Sequence, residues 1–154
     1  MSAATGETLR HTPLYELHRE LGGRLVPFAG YAMPVQYPSG IIAEHNHCRS
    51  AAGLFDVSHM GQATLTAETD PALLLERLVP GDIASLAPGR MRYTLLLNAR
   101  GGIEDDLMAT RLGPDRLYLV VNAATKDADF ALIDKALGRE AKLETHPDKA
   151  LLAL

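Results

Sequence analysis

From Met91 to Val121 the chain runs through three apolar–polar segments separated by two short glycine-bearing turns, and this limits the fold more than any other feature. Met91–Leu97 and Asp105–Leu112 read as strands joined by Asn98-Ala99-Arg100-Gly101-Gly102, whose glycine pair suits a hairpin turn needing positive φ. Gly113-Pro114-Asp115 then turns the chain into Arg116–Val121, a run rich in β-branched and aromatic residues. Links this short join antiparallel neighbours, because a parallel pair needs a crossover of a dozen residues or more. The expectation is an α+β fold of antiparallel sheets with flanking helices, not a doubly wound parallel sheet.

The remaining segments fill in that plan. Thr12-Pro13 places a cap and an N1 proline before a helix over about Pro13–Leu21, ended by Gly22-Gly23. Arg24–Phe28 reads as a short strand and Ala29–Gly40 as an apolar-rich loop. Gly40–Ala52 reads as a second helix with Gly53 beyond it. Gly61–Ala67 alternates as a half-buried strand, and Asp70-Pro71 opens a third helix to about Val79. Ala123–Leu137 is a fourth helix ending at Gly138, and Ala141–Glu144 and Lys149–Leu154 read as strands.

Composition excludes several function classes. With 154 residues the chain has enough material for a core without staples. A net charge of −4 gives no cationic surface for nucleic acid or anionic lipid. One cysteine, Cys48, rules out an internal disulfide framework. No apolar run reaches the ~20 residues of a membrane helix, and Met1–Arg10 lacks the apolar core of an export signal. The cytoplasm is the expected compartment.

Four constellations bear on chemistry. Glu44-His45-Asn46-His47-Cys48 sets only Glu44 with His47 or Cys48 on one helical face, and nothing elsewhere completes a metal site; a polar helix face with a small buried Cys48 is the expectation, with no metal. Gly101-Gly102 fits neither phosphate-loop spacing and is read as a turn. His59, set between large apolar residues in Phe55-Asp56-Val57-Ser58-His59-Met60-Gly61, reads as a buried, satisfied histidine as readily as a functional one. In Glu104-Asp105-Asp106, period-two alternation sends Asp105 and Asp106 to opposite faces, one of them shared with Met108. Spacing allows either a solvated turn rim or a carboxylate held in a cleft to manage a proton or cation.

Taken together, these motifs resemble the N-terminal part of the aminomethyltransferase family, the T-protein of the glycine cleavage system. The likeness runs through Thr12-Pro13-Leu14-Tyr15, Phe28–Tyr37, Gly53–Gly61, Tyr93–Asn98, Gly101–Leu107 and Val120-Val121-Asn122-Ala123, in order and in register from about His11. Tyr31 stands where the family usually has Trp, and Glu104 where it usually has an apolar residue. The resemblance implies transfer of the one-carbon unit from the aminomethyl-lipoyl arm of H-protein to tetrahydrofolate, releasing ammonia and giving 5,10-methylenetetrahydrofolate. It implies Asp106 as the catalytic carboxylate and Met60, Tyr93 and Asn122 as folate contacts, with tetrahydrofolate as co-substrate, lipoylated H-protein as partner and no metal.

The resemblance also implies a folate-binding domain of two intertwined β-α-β modules, incomplete in this chain. Residues 1–55 would begin a discontinuous module, 56–148 would form a largely complete α+β module, and 149–154 would start a strand returning to the first. The apolar run Ala150–Leu154 then reads as an edge awaiting cover, and the isolated chain is expected to turn over weakly or not at all. Two other readings stay open: a non-enzymatic folate-binding relative of the iron–sulfur maintenance type, and an inactive truncated fragment.

Overall fold

The computed structural model describes residues 8–154, so the stretch Met1–Arg10 read at the start falls mostly outside the described residues. The chain divides into two compact units, one running to His59 and including Asp148–Leu154, the other spanning Met60–Pro147.

The first unit holds α1 (Tyr15–Glu20), β1 (Arg24–Phe28), β2 (Tyr31–Gln36), α2 (Ile41–Ser50), β3 (Phe55–Asp56) and β9 (Leu152–Ala153). The stretch read as a loop after Phe28 is instead mostly β2, antiparallel to β1 with Phe28 facing Tyr31. Ala29 and Gly30 form the two-residue turn at φ 47° and 79°, the sign that a tight hairpin turn of this hand requires. Pro34 is tolerated because β1 and β2 form a sheet of two strands, in which the outer edge of β2 is bridged at Arg10, opposite Tyr31. Cys48 is exposed and α2 buries none of its residues, which corrects the expectation of a buried cysteine. At the chain's apolar end, Leu152 and Ala153 pair with β3 and Leu151 bonds to Val57 and Ser58, yet Leu152 and Ala153 stay exposed.

The second unit is built on a five-stranded antiparallel sheet in the order β5-β6-β7-β4-β8: β4 (Gly61–Ala67), β5 (Met91–Leu97), β6 (Ile103–Gly113), β7 (Arg116–Val121) and β8 (Ala141–Thr145). The two sequence-read turns join β5 to β6 and β6 to β7. Asn98 closes the first, its Oδ1 accepting from the Arg100 and Gly102 amides at 3.0 Å each. One face of the sheet, carrying Leu65, Leu96, Leu107, Leu117, Leu119 and Val121, packs with Leu75 of α3 (Pro71–Leu75) and with Ile133 and Leu137 of α4 (Lys126–Leu137). α3 is shorter than read. Asp70 caps it through the Ala72 amide at 2.9 Å, but the regular helix ends at Leu75 and gives way to a hydrogen-bonded turn, with the Val79 amide on the Leu75 carbonyl at 3.2 Å.

Candidate functional site

The candidate residues assemble at one end of the five-stranded sheet, within the second unit. Register places them there. Gly61 pairs with Val121, Val121 with Leu107, and Asp106 with Leu95. Met60, Asn122 and Asp106 each stand one residue before or after a paired position, so they share a row across β4, β7 and β6. Tyr93 lies two residues from Leu95 on β5 and therefore on the same face, opposite Met108.

Alternation along β6 separates the two acids. Asp105 shares its parity with buried Leu107 and Ala109, and Asp106 shares its parity with half-buried Met108. Asp106 therefore stands on the face that the helices leave open, with Tyr93, which is 64% exposed, and with the buried Gln62 and Val120, and Asp105 points to the helix-covered face. Asn122, just past β7, connects them. Its Nδ2 donates to Asp105 Oδ1 at 2.9 Å and to Asp106 Oδ1 at 3.2 Å.

Asp105 collects further donors from the Asp106 amide at 2.8 Å and from the Thr125 hydroxyl. Burial alone would raise its pKa, but hydrogen bonds from Thr125, Asn122 and the Asp106 amide hold it below the usual carboxylate range. Thr125 stands at the N-cap of α4, yet its side chain makes no capping bond; the hydroxyl goes to Asp105 instead. Partial desolvation, then the charge and hydrogen bonding of Asp106 and the charge of Asp105, raise the Tyr93 phenol. The result is a negative patch with one carboxylate turned to the open face and a flat aromatic ring beside it. Such a patch can hold a planar, amine-bearing molecule and favour positive charge on its nitrogens.

The other sequence candidates go elsewhere. His59 lies in the first unit with Phe28 and Tyr31 rings edge-on at 5.4 and 6.4 Å. Glu44 accepts from the Tyr37 amide at 2.7 Å and so ties down the segment before α2. Among the described residues no group of three or more His, Cys, Asp or Glu side chains could hold a metal ion.

Sequence reading missed three buried polar arrangements. His18 Nε2 meets Asp56 Oδ2 at 2.8 Å, with Thr12 and the Ser58 amide on the same carboxylate and Tyr37 on the other ring nitrogen. Arg111 forms a two-pronged pair with Asp70 at 3.1 and 3.0 Å. Asp129 is buried beneath Asp105. The first two link residues about 40 positions apart and leave no local signal. Asp129 left one: it stands at i−4 and i−8 to Ile133 and Leu137, on the stripe that α4 must bury.

The fold and site define an antiparallel α+β domain with an acid and an amide in one row and a phenol beside them, and comparison with known proteins narrows the class. Residues 14–154 match the family model of the GCVT N-terminal domain. The mitochondrial aminomethyltransferase of Gallus gallus is 50% identical over 137 residues, covering 89% of this chain and 34% of that protein. The aminomethyltransferase of Chlorobium phaeobacteroides is 44% identical over 149 residues, covering 95% and 40%. The crystal structure of glycine cleavage system aminomethyltransferase T from Bartonella henselae superposes with a TM-score of 0.86 at 42% identity, covering 94% of this chain and 40% of that one. The chain belongs to the aminomethyltransferase (T-protein) family and corresponds to its N-terminal portion. It spans 34–40% of the length of these relatives.

Proposed function

We propose that this chain is the N-terminal part of a tetrahydrofolate-dependent aminomethyltransferase of glycine cleavage, with lipoylated H-protein as its partner. The observation that carries this reading is the placement of Asp106: on the open sheet face, clamped by Asn122 and flanked by Tyr93. In the reaction, the methylene carbon breaks its bonds to the lipoyl sulfur and to the amine nitrogen. It forms two new bonds, to N5 and N10 of the folate, whose protons leave on the thiol and on ammonia. Positive charge develops on the carbon and its nitrogen partners as the first bond breaks. Asp106 stabilises that charge and biases which folate amine is free to attack. Tyr93 and Met60 offer aromatic and thioether surface to the pterin and aminobenzoyl rings, and Asn122 keeps Asp106 aimed. The reading needs no metal. The proposed compartment is the cytoplasm, whereas the chicken relative is named as mitochondrial.

The test is Asp106→Asn in the longest form that the coding frame provides. Ammonia release from aminomethyl-lipoyl H-protein is expected to fall by about 10²-fold or more, with tetrahydrofolate affinity changed only a few-fold. Wild-type rates in the variant would remove Asp106 from the chemistry. Absence of tetrahydrofolate binding by the unmutated protein would remove the folate reading itself.

A further inference from the structure

Asp129 lies in the first turn of α4, where an acid usually faces water and the helix N-terminus favours it. Here it faces inward instead. The residue is only 4% exposed and continues the buried stripe of Ile133 and Leu137. Its carboxyl group lies close enough to Thr125 and Asp105 to couple to both, while its Oδ2 is sealed from solvent with no hydrogen-bond partner among the described residues. The charged groups around it are Asp105 and Asp106 from β6, and Lys126 and Asp127 beside it on α4.

Two carboxylates so close cannot both be ionised cheaply; one must hold a proton and donate it to the other. The donor count decides which. Asp105 already receives hydrogen bonds from Asn122, Thr125 and the Asp106 amide, all of which favour its charged form. Asp129 has an oxygen with nothing to accept from. The proton therefore belongs on Asp129.

We propose that Asp129 is a positioning residue for the Asp106 site: as a carboxylic acid it donates to Asp105, and Asp105 in turn fixes the Asn122 amide that reaches Asp106. The chain of contacts runs from α4 through β6 to the open face. Burial, opposed by the Thr125 hydrogen bond and reinforced by Asp105 and Asp106, moves Asp129 up to about 6. Its folded pKa thus lies above its ordinary one. The stability that it contributes is complete below the ordinary carboxylate range and is lost as pH rises through about 6. Above that pH a second charge opposes Asp105, and the Asn122 clamp loosens.

The proposal rests on the reading of Asp106 for its functional consequence only, and its test involves no folate. In the full chain, the Asp129 carboxyl carbon and the Asn122 side-chain amide are followed by NMR from pH 4 to 8. Both are expected to titrate with one midpoint near 6. In Asp129→Asn, a permanent donor of similar shape, the Asn122 amide should lose that titration and keep its low-pH position; in Asp127→Asn it should titrate as before. An Asp129 carboxyl that titrates with the exposed carboxylates near 4 would overturn the proposal. So would an Asn122 amide that shows no midpoint near 6 in the unmutated chain, or that keeps it in Asp129→Asn. Should Asp129→Asn fail to fold, the unmutated titration decides alone.

Discussion

At the scale of single residues, the second unit depends on an ion pair that its sequence does not announce. The Arg111 side chain is 6% exposed and reaches Asp70 with two nitrogens, and Asp70 at the same time caps α3. The Ile83 and Ala84 carbonyls accept further hydrogen bonds from the same guanidinium. Removing Arg111 takes the donor from the Ile83 and Ala84 carbonyls and frees Asp70, whose side chain is 32% exposed and can recruit water. Arg111→Ala is therefore expected to lose about 1.5–3 kcal/mol in urea unfolding, whereas Arg77→Ala, at an exposed pair with Glu140, should cost under about 1 kcal/mol. Equal losses at the two sites would refute the argument. Asp70 adds a pH signature. Burial opposes it, but hydrogen bonds from Arg111 and the Ala72 amide lower its pKa below the ordinary value. Its contribution is thus present above the ordinary carboxylate range and is lost as pH falls through the lowered value. An acid-side fall in melting temperature should accordingly be smaller in Asp70→Asn.

At the scale of elements, the turns were more legible than what lies between them. Gly101-Gly102 and Gly113-Pro114-Asp115 declare their hairpins because only a few residue types suit such turns, and the strands beside them follow. Local pattern hides β2, because glycine and proline usually punctuate strands, although a two-stranded ribbon accepts both. α3 kept its cap but not its length, since caps act locally and length is set by packing. Of the site, Asp106, Asn122, Tyr93 and Met60 follow from family likeness and not from spacing, which by itself allows the Asp105-Asp106 pair either a turn rim or a cleft. What local pattern could not show is the second layer, Thr125 and Asp129, because it depends on where α4 packs against the sheet. At β4 that packing is close. A Cβ built on Gly61 would stand 2.5 Å from Val121 Cγ2, 2.7 Å from Lys126 Cβ and 3.0 Å from Phe130 Cε2. Gly61→Ala must push α4 off β4 and is expected to cost about 1–3 kcal/mol. Because α4 carries Thr125 and Asp129, the same substitution should shift the Asn122 side-chain amide resonance. Gly40→Ala, where nothing lies within 4 Å of the new atom, should pay only the strain of its positive φ and leave that resonance in place. An unmoved Asn122 signal in a folded Gly61→Ala chain would show that α4 does not set the site.

At the scale of the whole molecule, apolar burial is shared out very unevenly. Among the described residues, the buried apolar side chains of the first unit are Tyr31, Ala32 and Met33, while the second unit holds the continuous cluster from Leu65 to Ala141. The first unit compensates with polar contacts: the Asp56 carboxylate gathers Thr12, His18 and the Ser58 amide, and Arg10 sits 4.5 Å from the centre of the Tyr31 ring. Each such hydrogen bond adds only about 1 kcal/mol net, whereas each fully buried Leu or Ile adds about 1.5–3 kcal/mol. α2 shows the contrast most clearly, because none of its ten residues is buried. Opening free energy follows buried apolar contact, so the two units should not open together. In native-state hydrogen exchange, the amides of β4, β6 and β7 are expected to be protected up to the global unfolding free energy. The amides of α2 should exchange at least 100-fold faster, a gap of about 2.7 kcal/mol. Denaturant should then reveal two midpoints, with tyrosine signals from Tyr31 and Tyr37 changing before those from Tyr118. One coincident transition, with α2 as protected as β7, would mean that the first unit draws its stability from the second and not from its own few buried contacts.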